Sequence, residues 1–173
     1  MSVEIKTVTN KSDLREFIFL PSKLYSDRPT WVPPMYMDEW KFYNPKENTS
    51  LAHCESIQFL AYQNNECVGR IMGIIPHQYN RLKNERTARF FQLECKDDTA
   101  ISHLLLNAVE KWAIQRGSTI LIGPFGFSDK DPQGLQVEGF DHLPVIATPT
   151  NPPYLEKLVV NEGFSKLLDC ISY

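Results

Sequence analysis

Glu94 and Tyr154 are the side chains in this sequence best suited to move a proton. Glu94 closes a strand-like run, Thr87 to Glu94, centred on Phe90-Phe91. A carboxylate at a strand end can take a proton directly or through a water; the plain alternative is an exposed strand-end acid. Tyr154 stands near the start of a short helix, where a phenol either meets a ligand or packs as a staple. Cys95 follows Glu94, but a thiol becomes a nucleophile only when a base activates it, and no His is close to it in sequence. Glu138 and Asp141 flank Gly139-Phe140; they could hold a cationic group or be ordinary loop charges. Arg81, Lys83, Arg86 and Arg89 form a basic run that suits an acidic ligand or a solvated hairpin.

These residues depend on the elements that carry them. Between Ser118 and Phe164 a short apolar strand (119–122) stops at Gly123-Pro124, a loop with Gly126, Gly134 and Gly139 follows, and a helix spans Asn151 to Glu162 before Gly163-Phe164. A strand that feeds a turn-rich loop and then a helix commonly builds a ligand site at the strand's carboxyl end, because helix termini leave backbone groups unpaired. Asn151 is placed to cap that helix. Upstream, Val3 to Val8 alternates as a half-buried strand does, and Asn10 with Asp13 predicts a capped helix that Pro21 interrupts. The Pro-rich run 27–34 predicts an ordered surface crossing pinned by Trp31, and a second helix is predicted over Met35 to Phe42.

Ser56 to Gln63 and Glu66 to Ile75 read as strands joined by a tight turn at Asn64-Asn65, since Asn tolerates positive φ. Gly69 and Gly73 inside the second strand predict a bulge or close approach by another backbone. His77 to Asn84 predicts one helical turn. Thr99 to Arg116 is the clearest helix, with Ile101, Leu104, Leu105, Ala108 and Trp112 on one stripe and Gly117 as its stop. A final strand is expected from Phe164 to Tyr173.

With 173 residues, 42% hydrophobic and 23% charged, the chain suits one globular domain over 1–173. A formal charge of −3 argues against nucleic-acid or membrane-surface binding, and no run approaches the length of a membrane helix. Cys54, Cys67, Cys95 and Cys170 lack Cys-x-x-Cys spacing, and the four His are scattered. This reads as buried free thiols in a reducing cytosol with no metal site.

The element order, β-α-α-β-β-β-α-β-α-β in a mixed sheet with helices on both faces, resembles the GNAT (acyl-CoA N-acyltransferase) superfamily. Asn151-Pro152-Pro153-Tyr154 with Leu158 and Gly163-Phe164 is similar to that superfamily's penultimate helix. Asp27-Arg28-Pro29-Thr30-Trp31-Val32-Pro33-Pro34, Val68-Gly69-Arg70-Ile71, Gly123-Pro124 and Gly134 to Asp141 resemble a group of bacterial GNAT-like proteins.

The resemblance implies an acyl transfer from acetyl-CoA or another acyl-CoA to a small-molecule amine. Glu94 would act as base, Tyr154 as acid or substrate contact, and Leu93 and Cys95 would present main-chain donors. Asp98, Thr99 and Ala100 stand where the coenzyme pyrophosphate is held, and Asn151 where the coenzyme arm passes. The chain departs from the pattern there: Leu93 to Ala100 contains no Gly, and Asp97 and Asp98 bring carboxylates to the positive helix end. The usual tyrosine acid is replaced near Val159. The resemblance further implies a missing last strand, a longer parent protein, and an exposed edge on the 164–173 strand that is covered either by a second copy, as a homodimer, or by the Pro-rich 27–34 segment. The rival expectation is a non-catalytic module that binds a ligand or a partner chain.

Overall fold

The computed structural model describes residues 2–145 and 148–171. Its elements run β1 (Val3–Thr7), α1 (Lys11–Leu24), α2 (Tyr36–Phe42), β2 (Glu55–Gln63), β3 (Glu66–Ile75), α3 (His77–Lys83), β4 (Thr87–Cys95), α4 (Thr99–Gln115), β5 (Ile120–Ile122) and α5 (Tyr154–Asn161). A 3-10 turn at Thr49–Ala52 precedes β2. The five strands form one sheet in the order β1-β2-β3-β4-β5, antiparallel except for the parallel β4–β5 pair. Asn64 and Asn65 turn the β2–β3 hairpin at φ 52° and 63°, the left-handed pair a two-residue hairpin needs.

Strand alternation divides the apolar side chains between two faces. Phe59, Ala61, Ile71 and Phe90 lie against α4 and α5, where Leu105, Val109, Trp112 and Leu158 complete the larger core. Leu60, Met72, Ile74 and Phe91 point the other way, against Phe17 and Leu20 of α1. Helices therefore cover both faces, as the sequence predicts.

The two β3 glycines are where α4 comes closest. A Cβ at Gly69 would stand 2.8 Å from a Leu105 methyl and 2.9 Å from Cys95 Cβ, and one at Gly73 would meet the Trp112 ring at 3.0 Å. Gly69→Ala is expected to destabilise the fold by about 1–3 kcal/mol through overpacking. Urea unfolding checks this, and a wild-type midpoint would mean that α4 yields without cost.

Local chemistry sets α1. Asn10 Oδ1 accepts from the amides of Ser12 and Asp13, while the Asp13 carboxylate accepts from Thr9 N and Asn10 Nδ2. The expected interruption at Pro21 does not occur, and the helix continues to Leu24. Proline has no N–H to give the carbonyl four residues back, which is that of Phe17, and Arg70 Nη1 supplies the missing donor at 2.6 Å.

The expected last strand is also absent. Residues 164–171 adopt no strand, and residues 172–173 lie outside the described residues. A strand has no hydrogen bonds of its own, and among the described residues none pairs with this segment. Phe164 packs on Phe90, but Leu167, Leu168 and Ile171 are exposed. The expected dimer edge has no strand to build on. Among the described residues no helix is long and apolar enough to cross a membrane.

Candidate active site where the parallel strands part

β4 and β5 pair only at Thr87–Ile120, Ala88–Leu121 and Arg89–Ile122. The contact ends where Gly123 passes under Phe90. A Cβ there would lie 2.3 Å from the Phe90 carbonyl oxygen, so only glycine permits the approach. Phe125 N–H then donates to that carbonyl at 2.9 Å, and the chain turns away into the loop. β4 runs on to Cys95 with no strand beside it on that side among the described residues.

A bulge helps to separate the strands. Arg70 faces Glu94 and Met72 faces Phe91, so β4 carries one residue more than β3 over this span. Gln92 takes the strain with φ 49°. A bulge bends its strand and increases the twist, and bulges concentrate beside functional sites. Lys96 N–H donates to Val68 O, toward β3. Strand alternation then turns the Leu93 and Cys95 amides outward, into the gap. The Cys95 carbonyl on that edge accepts the Tyr154 hydroxyl at 2.7 Å.

Glu94 stands beside this edge, on the α1–α2 face. Its Oε2 accepts from Arg70 Nε at 3.0 Å, with Arg70 almost fully buried and Glu94 18% exposed. Burial works against the Arg70 charge, but Glu94, Tyr43 and Glu39 outweigh it and raise its pKa. Its guanidinium also lies 4.8 Å from the centre of the Phe17 ring. Gln92 joins the group by accepting from the Tyr43 hydroxyl and donating to Glu39 Oε2 at 3.4 Å.

The cluster holds two carboxylates to one guanidinium, and burial raises the Glu39 pKa despite the attraction of Arg70. The folded state then holds a proton on Glu39 more tightly than the unfolded chain does. Its contribution favours folding at low pH and is lost as pH climbs from the unfolded carboxylate range through the raised folded value. Glu39→Gln is expected to raise the melting temperature at neutral pH and to leave it unchanged near pH 4. Equal melting temperatures at both pH values would show that Glu39 ionises freely in the fold.

Tyr154 has its hydroxyl on the Cys95 carbonyl, and burial followed by Cys95 and Asp97 pushes its phenol up to about 12. The Cys95 thiol is buried and likewise raised to about 12, chiefly by desolvation, which suits packing and not nucleophilic attack. Asn151 does not cap α5, which starts at Tyr154. Instead its amide clamps the loop, accepting from Gln136 N at 2.7 Å and donating to the carbonyls of Gln136 and Pro152. Asp98 caps α4, its Oδ1 accepting Ala100 N at 2.8 Å, so one amide at this helix end already serves a carboxylate. Val159 is core.

The outward amides of β4 fit the extended arm of a pantetheine thioester, which carries amide groups of its own. The turn before α4 does not fit a diphosphate: it lacks glycine, its side chain takes a helix-end donor, and Asp97 adds a second negative charge.

Of the basic run, Arg81, Lys83 and Arg86 are exposed. Arg89 is buried beneath Phe125 and donates to the carbonyls of Gly126 and Phe127, which anchors the loop after β5. Glu138 and Asp141 remain exposed and do not join the cluster. Two surface hollows elsewhere, one bounded by Phe42 and Phe127 and one by Asn10 and Leu51, include none of Glu94, Cys95 and Tyr154. No group of metal-ligating side chains occurs among the described residues. Sequence reasoning missed Glu39, Tyr43 and Gln92, and it quoted Arg70 without a role. A lone arginine within an apolar strand was the one available signal.

A mixed five-stranded sheet covered on both faces, with a parallel pair that parts beside a bulge, is the GNAT fold. AAC(6')-Iy in complex with the bisubstrate analog CoA-S-monomethyl-acetylneamine aligns over all of this chain and 97% of its own, with a TM-score of 0.59 at 14% identity. A tandem GNAT protein from the clavulanic acid biosynthesis pathway aligns with 94% of this chain and 43% of its own, also at a TM-score of 0.59 and 14% identity. No protein-family model matches the chain. In sequence it is 32% identical over 167 residues to a bacterial ceramide synthase of Caulobacter vibrioides, covering 96% of this chain and 44% of that protein. It is 29% identical over 169 residues to protein YghO of Escherichia coli, covering 98% and 43%. The chain thus spans less than half the length of these two relatives.

Proposed function

We propose that the chain is an N-acyltransferase that moves an acyl group from a pantetheine thioester, such as an acyl-CoA, to an amine. The observation that carries this reading is the bulged edge of β4, where outward amides of Leu93 and Cys95 lie beside the Glu94 carboxylate. Those amides would align the thioester arm. Glu94 would take the proton that the amine loses as its nitrogen bonds to the acyl carbon. The likeness to a bacterial ceramide synthase favours a long-chain amino alcohol as acceptor and a fatty acyl donor, because a ceramide is the amide of those two.

The test is incubation of the chain with acetyl-CoA or palmitoyl-CoA and either sphinganine or a short primary amine. Free thiol is followed by colour and amide by mass spectrometry. Palmitoyl transfer to sphinganine is the expected result. The capped helix end of α4 favours a second reading, a module that binds without turnover. Acyl-CoA-dependent thermal stabilisation with no thiol release would select it. Neither stabilisation at millimolar acyl-CoA nor thiol release would remove both.

A further inference from the structure

Resting on the acyl-transfer reading, we infer that Arg70 is a specificity-determining residue that selects amines bearing a hydroxyl on the neighbouring carbon. The Arg70–Glu94 pair has a donor and an acceptor left over, side by side and open to solvent. Arg70 Nε donates to Glu94 Oε2 at 3.0 Å, and Nη1 donates to the Phe17 carbonyl at 2.6 Å. Among the described residues neither Arg70 Nη2 nor Glu94 Oε1 has a hydrogen-bond partner. Neither atom is sealed off, because the only side-chain atoms both buried and unpartnered among those residues are Tyr25 Oη and Arg89 Nε. The Arg70 side chain is 4% exposed and that of Glu94 18%.

Covalent geometry sets the direction of the free donor. A guanidinium is planar, and its Nε–H runs parallel to one Nη2–H, the edge that commonly takes both oxygens of a carboxylate. Here Glu94 places only one oxygen on that edge, so Nη2 points along the flank of its carboxylate. A group bound to Nη2 therefore stands next to a group bound to Glu94 Oε1. The arrangement is fixed in advance. Arg70 and Glu94 are direct partners across β3 and β4, and the guanidinium lies 4.8 Å from the centre of the Phe17 ring while tied to that residue's carbonyl.

A donor beside a carboxylate oxygen fits a ligand with an amine and an oxygen on adjacent carbons. The amine would donate to Glu94 Oε1, on the carboxylate that takes its proton, and the hydroxyl oxygen would accept from Arg70 Nη2. An amine lacking that oxygen displaces water from the pair and leaves a cationic donor unpaired, which discriminates against it. Charge disfavours a carboxylate in place of the hydroxyl. Glu39 is tied to the same cluster through Gln92, so the single guanidinium already faces two acids.

The test compares 1-amino-2-octadecanol with octadecylamine, which differ by that oxygen alone, as acceptors for palmitoyl-CoA. Wild type is expected to use the amino alcohol with a kcat/KM higher by about 10–10²-fold, the worth of one charge-assisted hydrogen bond. Arg70→Lys keeps a cation facing Glu94 but has no second nitrogen, and the preference is expected to fall to about twofold or less. A merely structural role would lower both rates alike and leave their ratio intact. Equal use of the two amines by wild type, or an unchanged ratio in Arg70→Lys, overturns the Arg70 assignment and leaves acyl transfer standing. A wild type that releases no thiol with either amine overturns acyl transfer and this assignment together. Should Arg70→Lys fail to fold, a crystal structure of the wild type with 1-amino-2-octanol decides. Its oxygen is expected within hydrogen-bond reach of Nη2; an oxygen on any other donor, or no bound amine at saturation, overturns the assignment.

Discussion

Arg70→Ala is expected to remove about 3–5 kcal/mol of stability, the usual result of breaking a buried ion pair from one side. Domains of this kind have only about 5–15 kcal/mol to lose. Three partners are stranded together. Glu94, 18% exposed, loses the guanidinium that it accepts from. The Phe17 carbonyl loses its donor at 2.6 Å, and Pro21 cannot replace it. The Phe17 ring loses the guanidinium 4.8 Å away. Urea unfolding measures the loss as a lower midpoint. The second half of the test is Pro21→Ala, which returns an N–H to the Phe17 carbonyl. In the double variant the Arg70→Ala penalty is expected to shrink by about 1 kcal/mol, the net value of one recovered hydrogen bond. A double variant as unstable as the sum of the two singles would show that proline and arginine are not coupled through that carbonyl.

This coupling shows which parts of the fold were legible in the sequence. Period-2 and period-3.6 patterns report burial, and burial decides where β2, β3, β4 and α4 lie. Their observed limits differ from the expected ones by a residue or so. Asn64-Asn65 and Asn10 with Asp13 were readable because their conformations are set locally. Pro21 misled because its consequence is settled by Arg70 in a different element, whose guanidinium supplies what the helix lacks. Residues 164–171 misled for the converse reason. Their composition suits a strand, but pairing depends on a neighbour that no local pattern can report.

The site divides in the same way. Glu94 and Tyr154 were identifiable by type and by their places at the ends of elements, and the structure brings both to the end of β4. Asn151 was identifiable as a polar residue that must be satisfied, but its partner is Gln136 and not a helix-end amide. Nothing in the sequence marks Gln92, whose left-handed backbone comes from a two-against-one mismatch between strands.

Glu94→Gln gives the largest expected change in activity, a kcat lower by about 10²–10⁴-fold, the range for losing a positioned general base. Glutamine has the same shape, and its carbonyl oxygen can still accept from Arg70 Nε. The fold and KM for the thioester are therefore expected to change little. Rescue by a small acid separates base catalysis from packing. Added formate, a small carboxylate, is expected to restore part of the rate if the defect is a missing base. A fall of less than tenfold, with no rescue by formate, would reduce Glu94 to the partner that neutralises Arg70. The proton would then have to leave through another group, and Glu39, held by Gln92 on the bulge, is the next carboxylate to replace.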